Sequence, residues 1–356
     1  MKRLLALANN PWARLGLVLA VLAGLTVGLW LRGPEWDAVG DAFVAVRWDW
    51  VAAAVGFNFF SVVARATAWR TVIHQAMPSP HPRFPVVFSA FSVGLMANAA
   101  LPGRVGELAR VAVLVRHLPA RVGAWATLVG SVVAHRVFDL IPAAVLVVWV
   151  LATAKIPHWA ITSLAVFLSI GVGLFLFALL SARHHHRTHL DGLGTTRRLI
   201  TLARQGLGVM RRPMPAATAA GFQSLGWLCQ LFAVWAAMRA FDVNRDLPAA
   251  GLVLVLMNVA TILPLWPGNV GLLQAAIALP LVEYGIPYAK GFAFGIGLQA
   301  IEASVGIGFG LVFLGREGLS FAALSRMPPA VEADAAGEDA RGETRSAPHA
   351  RARVSG

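Results

Sequence analysis

Residues 99–110 read AALPGRVGELAR, a polar interruption between two apolar runs, Phe84 to Ala100 before it and VAVLVRHL after it. A Pro-Gly pair such as Pro102-Gly103 starts a new helix. Inside a membrane, such a start offers backbone N–H groups and the positive end of a helix dipole, and an anion such as a lipid phosphate can dock there. Arg104 and Arg110 would add bidentate phosphate contacts. Glu107 lies three residues from each arginine, so the three share one helix side. Its carboxylate either holds the arginines in place or meets a cationic headgroup. The bland alternative is an internal ion network that only pins the hairpin tip. A charge at the centre of a membrane helix costs about 2.5–3.5 kcal/mol, which favours function.

Three further places have the same character. HRVFD at 135–139 sets Arg136 three residues from Asp139, which can balance it. ILPLWPGNVGLLQAA, ending at residue 276, carries a second helix start, Pro267-Gly268, with Asn269 and Gln274 beside it. Gln299 and Glu302, three apart, either complete a second half-site, or Glu302 pairs with Arg65. Arg65 alternatively snorkels to the interface.

These residues sit in a chain that is 58% hydrophobic and only 13% charged, over 356 residues. That is far more apolar than a soluble domain. Apolar segments fall near 13–31, 50–69, 85–101, 104–118, 121–153, 159–181, 214–238, 247–265, 268–283 and 288–314. Several exceed the roughly 18 residues that mark a spanning helix, and no alternating ten-residue strands suggest a barrel. The fold class expected is an all-α polytopic membrane protein. The segment 121–153 is long for one span and is either one tilted helix or a broken one.

The formal net charge of +13 would suggest nucleic acid in a soluble protein. Here the charge lies mainly in loops, where it sets orientation and meets anionic lipid, so no nucleic-acid partner is expected. The single cysteine, Cys229, leaves no disulfide framework. His184, His185, His186 and His189 lack an accompanying acidic or cysteine cluster, so no metal is expected. There is no Walker A sequence, and no cofactor is expected. The first apolar run ends in LRGPEW without a small-residue cleavage pattern and reads as a retained first helix. GxxxG spacings at Gly24/Gly28, Gly291/Gly295 and Gly306/Gly310 read as helix packing. Trp12, Trp30, Trp48 and Trp50 fit an interfacial belt.

Loop charge gives the topology. Residues 182–213 hold seven arginines and one aspartate, the strongest cytoplasmic signal in the chain. The acidic loop 32–49 reads as external, and the N-terminus and the loop 70–83 as internal. Residues 85–118 then enter and leave on one face, as a re-entrant hairpin with Pro102-Gly103 at its tip. Residues 247–283 repeat the feature. The expected count is about six full transmembrane helices plus two re-entrant hairpins, with both termini cytoplasmic. Residues 1–316 form the membrane domain and 317–356 a disordered tail.

A shift of 165 aligns Pro102 to Leu108 (PGRVGEL) with Pro267 to Leu273 (PGNVGLL). The same shift maps Gly56-Phe57-Asn58 onto Gly221-Phe222-Gln223, and Arg65 onto Gln230. Residues 51–138 and 216–303 therefore read as copies. By loop charge the first starts outside and the second inside, which makes them inverted repeats, a transporter signature.

ALPGRVGELAR, HRVFD and ILPLWPGNVGLLQAA resemble the lysylphosphatidylglycerol synthase transmembrane (flippase-like) family, which includes the membrane half of the multiple peptide resistance factor and many stand-alone bacterial proteins. The resemblance spans most of residues 10–316. It implies a lipid-translocating domain in a bacterial plasma (inner) membrane. No soluble aminoacyl-transferase domain follows the last apolar segment, so the chain is not expected to make lysyl-lipid, nor to be an enzyme. The family usually carries glutamate where this chain has Gln274 and His135, which speaks against a cationic headgroup. The reading is thus a flippase for a phospholipid, glycolipid or polyprenyl-linked lipid with a phosphate-containing or anionic headgroup. Two alternatives stand beside it. One is a non-catalytic membrane partner of a lipid-modifying enzyme, docking through 182–213 and the tail. The other is a lipid-dependent glycosyltransferase using Glu35 and Asp37.

Overall fold

A computed structural model of the chain describes residues 34–77, 79–100, 105–118, 124–183, 212–262 and 269–316, with Gly24 and Val209 as isolated positions. The described residues form ten α-helices and no strand. In order these are α1 (Trp36–Val44), α2 (Trp48–Ala76), α3 (Phe84–Ala100), α4 (Gly106–Arg116) and α5 (Ala124–Thr153). There follow α6 (His158–Arg183), α7 (Pro213–Ala240), α8 (Leu247–Ala260), α9 (Leu272–Val282) and α10 (Tyr288–Arg316). Four helices, α2, α5, α6 and α10, are long and apolar enough to cross a membrane. Of the segment 121–153, the described residues form one helix, α5 (Ala124–Thr153), which runs through Pro142 without a break.

The spine of the molecule is α2 against α7. Arg47 N–H donates to the Ala240 carbonyl at 2.9 Å. Trp50 meets Trp235 edge-on at 5.5 Å and Phe57 meets Phe232 at 5.6 Å. Ser61 Oγ donates to the Gly226 carbonyl at 2.8 Å. At the far end Arg212 Nη1 donates to Gln75 Oε1 at 3.1 Å. Each step forward on α2 is a step back on α7, so the two run antiparallel. Gly226 allows the close approach, since a Cβ there would lie 2.8 Å from the Arg65 Cγ.

The other helices pack in matched pairs around this spine. α3 lies against α10 and α8 against α5, while α4 packs on α5 and α9 on α10. Each helix from α2 to α5 begins within two residues of a point 165 positions before the start of its counterpart among α7 to α10. α10 is shared by both short hairpins. A Cβ on Gly291 or Gly295 would lie 3.1 Å from the Cα of Ala278 or Gln274 in α9, and one on Gly310 would strike Met96 and lie 2.9 Å from the Ser92 carbonyl in α3. Small residues here let backbones touch, as membrane helices require in the absence of a hydrophobic drive between them.

The largest two of the buried clusters divide the molecule: one joins α5, α7, α8, α9 and α10, and the other joins α2, α3, α4 and the start of α5 with Val305 and Leu314 of α10. α6 packs on α5 and leaves Val166, Ile170, Leu174 and Phe177 exposed, a surface suited to lipid rather than water. The acidic segment 32–49, read as a loop, contains the short helix α1. Asp37 in its first turn complements the dipole. Val39 is buried with Ala278, Ala289 and Phe292, and Trp36 sits edge-on to Phe292 at 6.0 Å. Glu35-Trp36-Asp37 is thereby a packing element over the start of α10.

Candidate functional site

Five of the expected site residues, Pro102, Gly103, Arg104, Pro267 and Gly268, lie outside the described residues. The helices that follow them are described. α4 begins at Gly106, whose N–H donates to Asn98 Oδ1 at 2.9 Å. A Cβ on Gly106 would strike the Gly94 carbonyl and lie 2.6 Å from the Asn98 amide, so glycine is what lets α3 and α4 meet. α9 begins after Gly271, which has φ +89°. The Gly271 N–H donates to Gln274 Oε1 at 2.6 Å. Of the N–H groups expected to be open to an anion, these two are already taken by side-chain amides. Asn269 is also in a left-handed conformation, φ +45°, and its Nδ2 donates to the Ala260 carbonyl at 3.1 Å, tying the start of α9 back to α8.

Behind the first hairpin lies an ionic cluster. Glu107 pairs with Arg110 on its own helix and with Arg136 of α5. Arg136 reaches on to Asp139 at 3.2 Å, and Asp139 also faces Arg65 of α2 at 3.8 Å. α7 supplies two more donors to Asp139: the Gln223 amide, and Trp227 Nε1 at 2.9 Å. The cluster thus joins α2, α4, α5 and α7 through three guanidiniums and two carboxylates. Arg110 is 4% exposed and lies over the Trp69 ring at 4.7 Å and the Phe91 ring at 5.5 Å. That makes it an anchor, with cation–π contacts worth about 2 kcal/mol when desolvated. His135 is equally buried and stacks on Phe91 at 5.9 Å; its two ring nitrogens have no hydrogen-bond partner among the described residues.

The second hairpin is backed by amides. Gln274 Nε2 donates to Gln299 Oε1 at 2.5 Å, and Gln230 Nε2 donates to Glu302 Oε1 at 2.5 Å. Ser61 Oγ lies 3.2 Å from Gln230 Oε1, so this belt also ends on the α2–α7 spine. Glu302 pairs with Gln230, and Arg65 turns to Asp139 rather than to Glu302 or to the interface.

Between these two walls is a cavity of about 660 Å³. α2, α3, α5, α7, α8, α10 and the start of α9 all contribute to it. Arg65, Arg136, Asn98, Asn269, Gln299 and Glu302 provide much of its polar lining. Glu107, Asp139 and Gln274 are not on its wall but hold residues that are, and Arg110 holds Glu107.

The ionic hairpin and the shared cavity belong to a chain that matches, over residues 13–310, the family described as "Lysylphosphatidylglycerol synthase TM region". The chain belongs to the lysylphosphatidylglycerol synthase transmembrane family. With its four long apolar helices, membership makes it a multi-pass membrane protein with a lipid-related role. No curated protein matches the chain. No solved structure matches it either.

For this member of the family, several residues at the site were not singled out from sequence: Ser61, Asn98, Trp227 and, as contributors to the ionic cluster, Gln223 and Arg65. The pairs Asn58/Gln223 and Arg65/Gln230 do fall at the 165-residue offset. Asn58 lines the cavity and donates to the Ile301 carbonyl at 3.4 Å. Asn98 has no such signal, because its position 165 residues on is Leu263.

Proposed function

We propose that this protein is a lipid flippase that passes a phosphate-containing headgroup through the cavity between its two halves, and that it is not an enzyme. The observation that carries the reading is the cavity wall itself. Arg65 and Arg136 line a space of about 660 Å³, within the usual range for a ligand site. Their cluster holds one guanidinium more than its carboxylates balance. A phosphate entering there finds donors already held in place, so little ordering is needed on binding. Asp139 orients both arginines, Glu107 orients Arg136, and Arg110 fixes Glu107 against Trp69 and Phe91. The acyl chains would remain in hydrocarbon.

In this reading the protein crosses the membrane six times: by α2, α5, α6, α7 and α10, and by the apolar run 13–31, which apart from Gly24 lies outside the described residues. α3/α4 and α8/α9 are re-entrant hairpins in inverted repeats. Helix length supports this. α4 and α9 have 11 residues each and reach about 16 Å, half of a hydrocarbon core about 30 Å thick. The antiparallel α2 and α7 match repeats that start on opposite faces. Loop charge supports cytoplasmic termini, and a bacterial plasma membrane is part of the same proposal. The headgroup is anionic or zwitterionic rather than cationic, since the excess charge on the ionic wall is positive.

Lipid retention tests the reading. Purified protein should carry phospholipid through native mass spectrometry, and Arg136→Ala, folded as judged by gel filtration and helical circular dichroism, should lose most of it. Equal retention by the two proteins contradicts the assignment of the cavity.

A further inference from the structure

Glu302 is the central residue of the 29-residue helix α10 and lines the cavity opposite the ionic cluster. Its surroundings differ sharply from those of Asp139. Asp139 receives two arginines, an amide and an indole N–H. Glu302 receives the neutral amide of Gln230, and no ion pair to it occurs within 4.0 Å among the described residues. The charged groups that face it are few. From α2 comes Arg65, engaged by Asp139 and lying over the Trp227 ring at 5.4 Å. From α5 comes Arg136, on the same cavity wall and paired with Glu107 and Asp139; His135 of α5 is stacked behind Phe91. α3, α8 and α9 contain no charged residue, and α7 offers Gln230. α1 carries Asp37 and Asp41 at the other end of α10, beside Phe292. On α10 itself Lys290 and Arg316 stand about 18 and 21 Å away along the axis.

A carboxylate at mid-helix with one neutral donor is costly as an anion, and a proton removes that cost. We propose that Glu302 is a proton site coupled to the headgroup, so that a phosphate enters the cavity together with one proton on the Glu302 carboxyl. The inference rests on the flippase reading above. Its logic is electrostatic. In the empty cavity the field of Arg65 favours the Glu302 carboxylate. A phosphate pairing with Arg65 and Arg136 cancels that field and adds a second anion facing Glu302. The carboxylate then takes a proton from water, and the phosphate and the neutral carboxyl share the space without repulsion. The proton remains on a carboxyl oxygen, and no covalent bond to the lipid forms or breaks. An inward or outward proton gradient then biases the direction of lipid movement, which the α10 position between both hairpins permits.

The test is binding of short-chain fluorescent phosphatidylglycerol to the full-length protein in nanodiscs between pH 5.5 and 8. The ligand is a phosphodiester and does not titrate in that range. Binding that takes up one proton tightens by up to tenfold per pH unit. The expected result is a several-fold gain in affinity toward pH 5.5, with proton uptake on lipid addition seen by a dye in weak buffer. This dependence should disappear in Glu302→Gln and persist in Glu302→Asp. A wild-type pH profile unchanged in Glu302→Gln overturns the proton site while leaving the lipid site standing. Absence of binding at every pH overturns the lipid site and the coupling with it.

Discussion

One hundred and sixty-five residues after Glu107, Arg110, Arg136 and Asp139 stand Leu272, Ala275, Ile301 and Ser304. The helices that carry the two sets begin at matching places and pack in matching pairs, yet one hairpin is backed by ions and the other by amides. Gly106 and Gly271 are equivalent in this frame, and both N–H groups are capped by a side-chain amide. Asn98 reaches Gly106 from the preceding helix, whereas Gln274 reaches Gly271 from the same helix, three residues on. A backbone frame of this kind leaves the choice of polar groups open. Placing three arginines in one half puts two of them, Arg65 and Arg136, on the cavity wall, where the one carboxyl among the lining residues is that of Glu302.

The sharpest way to break this contrast is to empty its centre. Asp139→Ala leaves Arg65 and Arg136 short of a counter-charge and strips the acceptor from Gln223 and Trp227. We expect a loss of about 3–5 kcal/mol, the usual effect of removing one partner from a buried ion pair, in unfolding monitored by circular dichroism in detergent. Ser304→Ala, at the equivalent place in the other half, should stay within about 0.5 kcal/mol. Similar losses for the two would show that the ionic half has no special structural weight.

Next in size is the contact between α3 and α4. Gly106→Ala must push against the Gly94 carbonyl and the Asn98 amide, and overpacking of this kind costs about 1–3 kcal/mol. The caps follow. Asn98→Ala and Gln274→Ala each leave one helix-start N–H without its acceptor, which costs about 1 kcal/mol. Gln274→Ala also removes the amide that donates to Gln299, so an exchange-protection measurement should show loosening that spreads to α10 only for that variant. Smallest is the pair that ties the α7–α8 connection to the start of α10. Lys290 Nζ donates to Asp242 at 2.9 Å and holds its carboxyl below the usual carboxylate range. A lowered carboxyl contributes stability above its unfolded value and loses it as pH falls through the folded one. Lys290→Ala should therefore move the Asp242 titration back up toward the ordinary carboxylate range, seen by NMR. Because Asp242 is exposed and Lys290 only half-buried, solvent screens the pair and the change should barely affect stability.

Much of this was legible in the sequence because apolar runs and interrupting Pro-Gly pairs report directly on membrane helices. AALPGRVGELAR marked the place where the cluster forms, and the i,i+3 spacing gave two of its pairs, Glu107–Arg110 and Arg136–Asp139. What spacing cannot give is which charges from different helices meet. The Arg136–Glu107 contact, 29 residues apart, and the Arg65–Asp139 contact depend on how α2, α4 and α5 pack. The repeat singles out Gln223 but not its partner, and nothing in the sequence marks Trp227; both reach Asp139 because α7 lies beside α5. The acidic segment before α2 misled for another reason: charge composition says which face of the membrane a segment favours, not whether it is helical.

The central claim is that a phosphate-bearing headgroup moves through the cavity held by the ionic wall. The most direct measurement is transfer of labelled phospholipids between leaflets of liposomes containing the purified protein, with Arg136→Ala reconstituted in parallel and both checked for folding. The account predicts protein-dependent movement of lipids with an anionic or zwitterionic phosphate headgroup, reduced at least tenfold in Arg136→Ala. Movement that is equal in the variant, or no movement of any phosphate-headgroup lipid by folded protein, would contradict it.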